Sequence, residues 1–312
     1  MEVVSRLLRL FGTRAGRIGG MIRAALSVLG TDMKVFLPFL ILFVLKAGRG
    51  LLSLALLYMG FVTQDWERAF PLMLVFMVYL PVEIVVQTLL QAAMSQMARD
   101  ALVEGRPVWS RVAVTLLRNL LPLLFIGAIT YLVRRARGVE QGGILGFVMA
   151  LLVFVVAEVW DLVSNFGISA IVVENAGLKT LVARLKQLRG HVPETLVGVL
   201  GIDLAGGVGQ ALFAGGVVTG LFGGGALGYV FADSLPEMFL ARFGEVDVNV
   251  LPPLGLLALS FTVSAAISAA TVLAKSLYFT SLYLFALRPD DLPEDRRKAL
   301  EAGLVSGAGL RA

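Results

Sequence analysis

Seven ionisable side chains stand inside apolar runs of the sequence, where charge is expensive: Lys46, Arg49, Glu83, Glu158, Asp161, Asp203 and Lys275. A charged group at the centre of a bilayer costs about 2.5–3.5 kcal/mol even on insertion scales that allow relaxation, so such residues pair with one another or face a water-filled cavity. Most of them sit in polar stripes at helical spacing: Glu83, Gln87, Gln91 and Ser95; Glu158, Asp161, Asn165 and Ser169; Ser260, Ser264, Ser268, Thr271 and Lys275; and Lys46, Arg49 and Ser53. A helix with one polar stripe turns it toward neighbouring helices or water, not toward lipid. Three cations against four carboxylates come close to neutrality, which predicts ion pairs. Glu83, or Glu158 with Asp161, is expected to meet Lys46 and Arg49, and Asp203 or another carboxylate to meet Lys275. Such a set supports two kinds of chemistry. In one, a carboxylate changes protonation along a proton- or ion-coupled path; in the other, the charges form a static network that selects which helices pack together.

The elements that hold these residues must be membrane helices. Of 312 residues, 58% are apolar and only 16% charged, and the mean hydropathy is +0.86, a composition of the membrane class. Hydrocarbon offers the backbone no hydrogen-bond partner, and the apolar runs do not alternate as barrel strands do, so they must be helical. The expected fold is an all-α integral membrane bundle of about six transmembrane helices, with spans near 35–63, 69–98, 119–133, 143–173, 195–231 and 254–287. The first is interrupted by Lys46-Ala47-Gly48-Arg49-Gly50, the third is short, and the last would reach about 51 Å at 1.5 Å per residue. Counted from the cytoplasmic end of each span, all seven charges fall about 14–24 Å deep.

Six spans with the N-terminus inside leave 19 Lys and Arg on inner segments and 5 outside, namely Arg68, Arg134, Arg135, Arg137 and Arg242. That bias places both termini in the cytoplasm. The formal net charge of +5 is spread in short groups beside apolar runs, which reads as orientation in the bilayer and not as a nucleic-acid surface. Three basic amphipathic stretches, Met1 to Lys34, Pro107 to Arg118 and Leu178 to Gly190, each precede an inside-to-outside span. The architecture predicted is three helical hairpins, each entered through an interfacial helix lying on anionic lipid of the inner leaflet. A tail of residues 288–312 follows on the cytoplasmic side.

The fifth span holds Gly216, Gly220, Gly224 and Gly228 at strict four-residue spacing, preceded by Gly201, Ala205 and Gly209. Small residues at i and i+4 let helix backbones approach, so this is a packing face, for a sibling helix or for a second copy of the chain. Gly223-Gly224-Gly225 is a poor phosphate loop, because no Lys-Ser/Thr follows. The single histidine, His191, builds neither a metal site nor a histidine pair, and with no cysteine the chain has no thiolate ligands or disulfides. No metal or cofactor is expected. There is no Ser-His-Asp set, HExxH motif or P-loop, so an enzyme is the weakest class. No removable signal peptide is read at the N-terminus.

Three segments, Arg17 to Leu45, Ala98 to Thr130 and Ile171 to Leu200, resemble a broad group of uncharacterised bacterial polytopic membrane proteins related to the membrane domain of glycerophosphodiester phosphodiesterases. The resemblance lies in a span that ends in a valine-rich acidic turn, here Val172-Val173-Glu174-Asn175, then a basic amphipathic helix, an Arg189-Gly190 step and the next span; Tyr278 to Leu287 fits the same style. It implies a six-helix module of the bacterial inner membrane. It carries no catalytic residues. The function expected is a non-enzymatic membrane scaffold, or a module that binds lipid, a membrane-protein partner or a second copy; the alternative is a transporter or channel that uses the buried charges.

Overall fold

The computed structural model describes residues 36–137, 143–175, 177, 180, 181, 183, 184, 192–243, 246–298 and 300. About 89% of the structure is helical. The expected N-terminal interfacial segment 1–34, most of the amphipathic stretch 178–190, His191 and residues 301–312 lie outside the described residues. The helices are α1 (Leu37–Leu57), α2 (Trp66–Glu104), α3 (Trp109–Arg118), α4 (Leu120–Arg137), α5 (Gly143–Glu174), α6 (Val192–Val230) and α7 (Leu251–Leu287). Five are long and apolar enough to cross a membrane, and a sixth crossing is made if the bent pair α3–α4 counts as one. The chain is a multi-pass membrane protein.

Local sequence explains where these helices run on and where they stop. Despite its two glycines, the Lys46–Gly50 interruption does not break α1, which closes in a π-helical turn at Tyr58–Val62. Helices α2 and α5 end at residues in the left-handed region, Gly105 (φ 86°) and Asn175 (φ 51°), residue types that accept this conformation at a helix C-terminus. The 72° bend between α3 and α4 falls at Asn119. Pro122, three residues on, has no N–H to give the carbonyl of Arg118, so the regular ladder cannot pass through this point. Helix α7 starts correctly for a converse reason: Pro252 and Pro253 occupy its first turn, where no donor is needed, and the Asn249 carboxamide oxygen accepts the Leu251 N–H at 3.0 Å.

Between α6 and α7 the chain departs from an all-helical fold. Strands β1 (Leu240–Phe243) and β2 (Val246–Asn249) pair antiparallel, with Arg242 opposite Asp247 and their side chains 3.1 Å apart. A cross-strand pair of opposite charge in a short alternating segment favours a hairpin over a helix.

The chain divides into two compact units, and α1, α2, α6 and α7 each contribute to both. The first unit contains the described residues up to 39, residues 84–203 and the chain from 271 onward. Its larger core gathers Leu102 from α2, Phe166 and Val173 from α5, and Phe279, Leu282 and Tyr283 from α7, with Phe166 and Phe279 edge to face at 4.8 Å. Leu292 and Leu300 belong to this core as well. The residues after α7 are therefore not a free tail: part of the segment folds back because two leucines bury there. A second cluster joins Ala92, Leu123, Ile126, Ile168 and Ile171 of α2, α4 and α5.

The second unit contains residues 40–83 and 204–270. Here the glycine face of α6 lies along the start of α7. A methyl group placed on Gly216 would lie 3.1 Å from Ser260 Oγ, on Gly220 3.4 Å from Leu256 Cβ, and on Gly224 2.5 Å from Pro253 Cα; on Gly228 it would collide with the carbonyl of Asn249. Gly209 continues the row toward Ile267. The partner of the stripe is a sibling helix, running antiparallel. Gly224→Ala is therefore expected to lower the thermal unfolding midpoint in lipid, because backbone must move. Gly225, with nothing within 4 Å of an added methyl, should tolerate Gly225→Ala with an unchanged or higher midpoint, since alanine is the better helix former by about 1 kcal/mol. Equal effects at the two positions would contradict this packing.

Candidate functional site

In the second unit the carboxylate of Glu83 on α2 is clasped by both cations of α1. Arg49 Nη1 donates to Glu83 Oε1 and Oε2 at 3.1 and 3.3 Å, and Lys46 Nζ lies 3.8 Å from Oε1. Lys46 and Arg49 are three residues apart, so one face of α1 delivers both to one acceptor. The Glu83 side chain is 2% exposed and that of Lys46 5%. One turn before Glu83, Tyr79 donates its hydroxyl to the carbonyl of Leu45 at 2.5 Å, and a methyl on Gly48 would meet this hydroxyl at 3.2 Å. Gly48 thus lets the tyrosine reach the α1 backbone. The carboxylate and the ammonium are buried while the Arg49 side chain is half-exposed, and the site holds two positive groups against one negative group.

In the first unit Lys275 on α7 bridges two carboxylates from two other helices. Its Nζ is 2.7 Å from Asp161 Oδ2 on α5 and 2.6 Å from Asp203 Oδ1 on α6. Polar neighbours extend the cluster without adding charge: Asn165 donates to the Asp161 carbonyl at 2.6 Å and accepts from Gln91 of α2 at 2.5 Å, and the Ser169 hydroxyl lies 3.4 Å from that of Thr280. The polar stripes of α2, α5 and α7 therefore meet one another. Glu158 lies one turn before Asp161 on α5.

All seven charges singled out from sequence fall in α1, α2, α5, α6 and α7. Glu83 meets Lys46 and Arg49, and Asp161 and Asp203 meet Lys275. Arg134 stands in the last turn of α4 and directs its guanidinium at the Gln87 carboxamide of α2 at 3.5 Å. The α4 helix is 18 residues long, so its basic end stays alongside the polar stripe of α2.

Two further ion clusters were not read from sequence. Asp100, fully buried near the end of α2, accepts on one oxygen from Gln96 (2.7 Å), Arg99 (3.0 Å) and Arg111 of α3 (3.1 Å), and Arg111 also holds Glu104. Glu174, at the end of α5, accepts from Arg184 at 2.9 Å and from Arg288 at 3.2 Å. The Glu174 hydrogen bond pushes the Arg184 guanidinium further above its usual range. Each clamp joins an acid at the end of a long helix to an arginine 11 or 10 residues later in the following amphipathic stretch. The sequence signal was present as that recurring spacing. Among the described residues no group of His, Asp and Glu has the arrangement of a metal site.

Comparison with family models, with curated proteins and with solved structures finds no match. The functional reading therefore rests on the geometry of these clusters.

The Glu83 clasp has a measurable consequence. Glu83→Ala removes the shared acceptor of two cations and is expected to cost about 3–5 kcal/mol of stability in lipid, as for other broken buried pairs. Lys46→Met should cost roughly half of that or less, because Arg49 still holds both oxygens of Glu83. Unfolding free energies by steric trapping in bicelles measure both, and equal losses would contradict the division of roles between Arg49 and Lys46.

Proposed function

We propose that this chain is a non-enzymatic membrane module that works by binding, as a scaffold on the cytoplasmic side of a bacterial inner membrane, with anionic lipid as its first contact. The observation that carries the reading is helix α3. It is bent 72° from α4, and it buries Val112 and Thr115 while leaving Val114 and Leu117 exposed, with Leu121 continuing that apolar row beside Arg118. An amphipathic helix set across the direction of its neighbour, apolar outward and basic at its edge, fits the headgroup boundary of an anionic leaflet.

Other features agree. The ion clusters join helices, as a scaffold requires: Glu83 ties α2 to α1, and Lys275 ties α7 to α5 and α6. The bias of 19 inner to 5 outer Lys and Arg supports termini in the cytoplasm. In this reading the helices form three hairpins, each entered along the inner leaflet. The Asp100–Arg111 and Glu174–Arg184 clamps would then hold two of the amphipathic stretches against the bundle.

Two measurements test this. The chain has no native cysteine, so single cysteines report topology directly. A membrane-impermeant maleimide added to intact spheroplasts should modify Glu237→Cys, before the hairpin, and spare Asp295→Cys, after α7; the reverse pattern would invert the orientation. In nanodiscs, amide hydrogen exchange over 109–118 should be slower with phosphatidylglycerol than with phosphatidylcholine. No dependence on lipid charge would remove anionic lipid from the account.

A further inference from the structure

The Lys275 site differs from the Glu83 site in charge balance and in the exposure of its carboxylates. One ammonium sits between two carboxylates, so the cluster keeps an uncompensated negative charge, whereas Glu83 faces two cations. The side chains of Asp161 and Asp203 are 31% and 36% exposed, against 2% for Glu83. The three groups also lie deep. Asp161 is 13 residues before the end of α5, Lys275 12 before the end of α7 and Asp203 11 after the start of α6, or about 17–20 Å at the helical rise. A half-open carboxylate at that depth is not tolerated by hydrocarbon, so water must reach it.

Lys275 Nζ, within 2.7 Å of both aspartates, already fills the position that a small cation would take between them. What the cluster lacks for neutrality is one proton. We propose that Asp161, Asp203 and Lys275 form a hydrated acid–base site that binds one exchangeable proton, with Asp203, the more exposed carboxylate, as the acceptor. Hydronium gives its proton to a carboxylate oxygen of Asp203, the new O–H bond forms, and a water molecule leaves. The Asp203–Lys275 ion pair becomes a hydrogen bond to a neutral acid, and the ammonium charge falls to Asp161. The electrostatic tie between α6 and α7 weakens while that between α5 and α7 strengthens, so proton uptake biases the packing of α6. Asp161 from α5, Asp203 from α6 and Lys275 from α7 make up the cluster; outside it, Glu158 of α5 acts on Asp203 through space and adds to the negative potential that favours the proton, and α2 presents the neutral Gln91 through Asn165. This adds a chemical activity to a scaffold that has none, and it does not depend on lipid binding by α3.

Two readouts on the full chain in lipid decide the proposal. In proteoliposomes a charged methanethiosulfonate reagent should modify Asp203→Cys at least tenfold faster than Glu83→Cys. Failure of Asp203→Cys to react where Glu237→Cys does would overturn the hydrated site. In nanodiscs, infrared difference spectra across a pH titration should show a carboxylic-acid band that disappears in Asp203→Asn and in Asp161→Asn, because either variant restores one carboxylate to one ammonium. Loss of the band in both variants, or in the one that folds where the other does not, supports the site, whereas its absence from the parent protein or its persistence in either well-folded variant overturns it.

Discussion

A carboxylate or ammonium surrounded by hydrocarbon keeps neither its hydration nor its charge unless another group replaces the water. At the Glu83 and Lys275 sites that replacement comes from a different helix. Glu83 of α2 depends on Lys46 and Arg49 of α1, and Lys275 of α7 depends on Asp161 of α5 and Asp203 of α6. Apolar helices in a bilayer have little hydrophobic reason to choose one neighbour over another. Ion pairs supply that choice, since each wrong pairing leaves a charge unmatched. Within each unit the register of helices is therefore tied to electrostatics first, and the apolar contacts of Phe166, Phe279 and Tyr283 fill in around it.

Close approach is the second requirement, because short side-chain contacts need backbones near one another. Small residues answer it at chosen places. Gly48 admits the Tyr79 hydroxyl to the α1 backbone, and the row from Gly216 to Gly228 brings α6 against α7. At the ends of α2 and α5 the same problem is met by polar clamps. Gly105 and Asn175 stop these helices in left-handed turns, and Asp100 and Glu174 then hold an arginine from the following stretch. The repetition of this arrangement about 75 residues apart matches the repeat of basic amphipathic segments seen along the chain.

Much of this was legible in sequence, for a physical reason: charge in an apolar run has few places to go. The residues that pair, and the glycine face, follow from residue type and helical period. What sequence left open was which carboxylate takes which cation, because Glu83 and the Glu158–Asp161 pair were equivalent by depth and stripe. Nor did periodicity reveal the 72° break, although Pro122 removes a backbone donor there, or the hairpin at 240–249, where strands of four residues are too short for alternation to register. Acids beside basic residues at a helix end read as solvated, so residue type alone gives no signal that Asp100 and Glu174 are buried. Their burial depends on α3, Arg184 and Arg288 folding over them.

The central claim is that buried charges choose helix partners, and a double-mutant cycle on Arg49 and Glu83 tests it most directly. Arg49→Met, Glu83→Gln and the double variant would be unfolded by steric trapping in bicelles. A coupling of about 1–3 kcal/mol between the two positions is the result expected for groups in direct contact. Additive losses, with no coupling beyond about 0.5 kcal/mol, would mean that the pair does not bind α1 to α2, and the account built on it would fail.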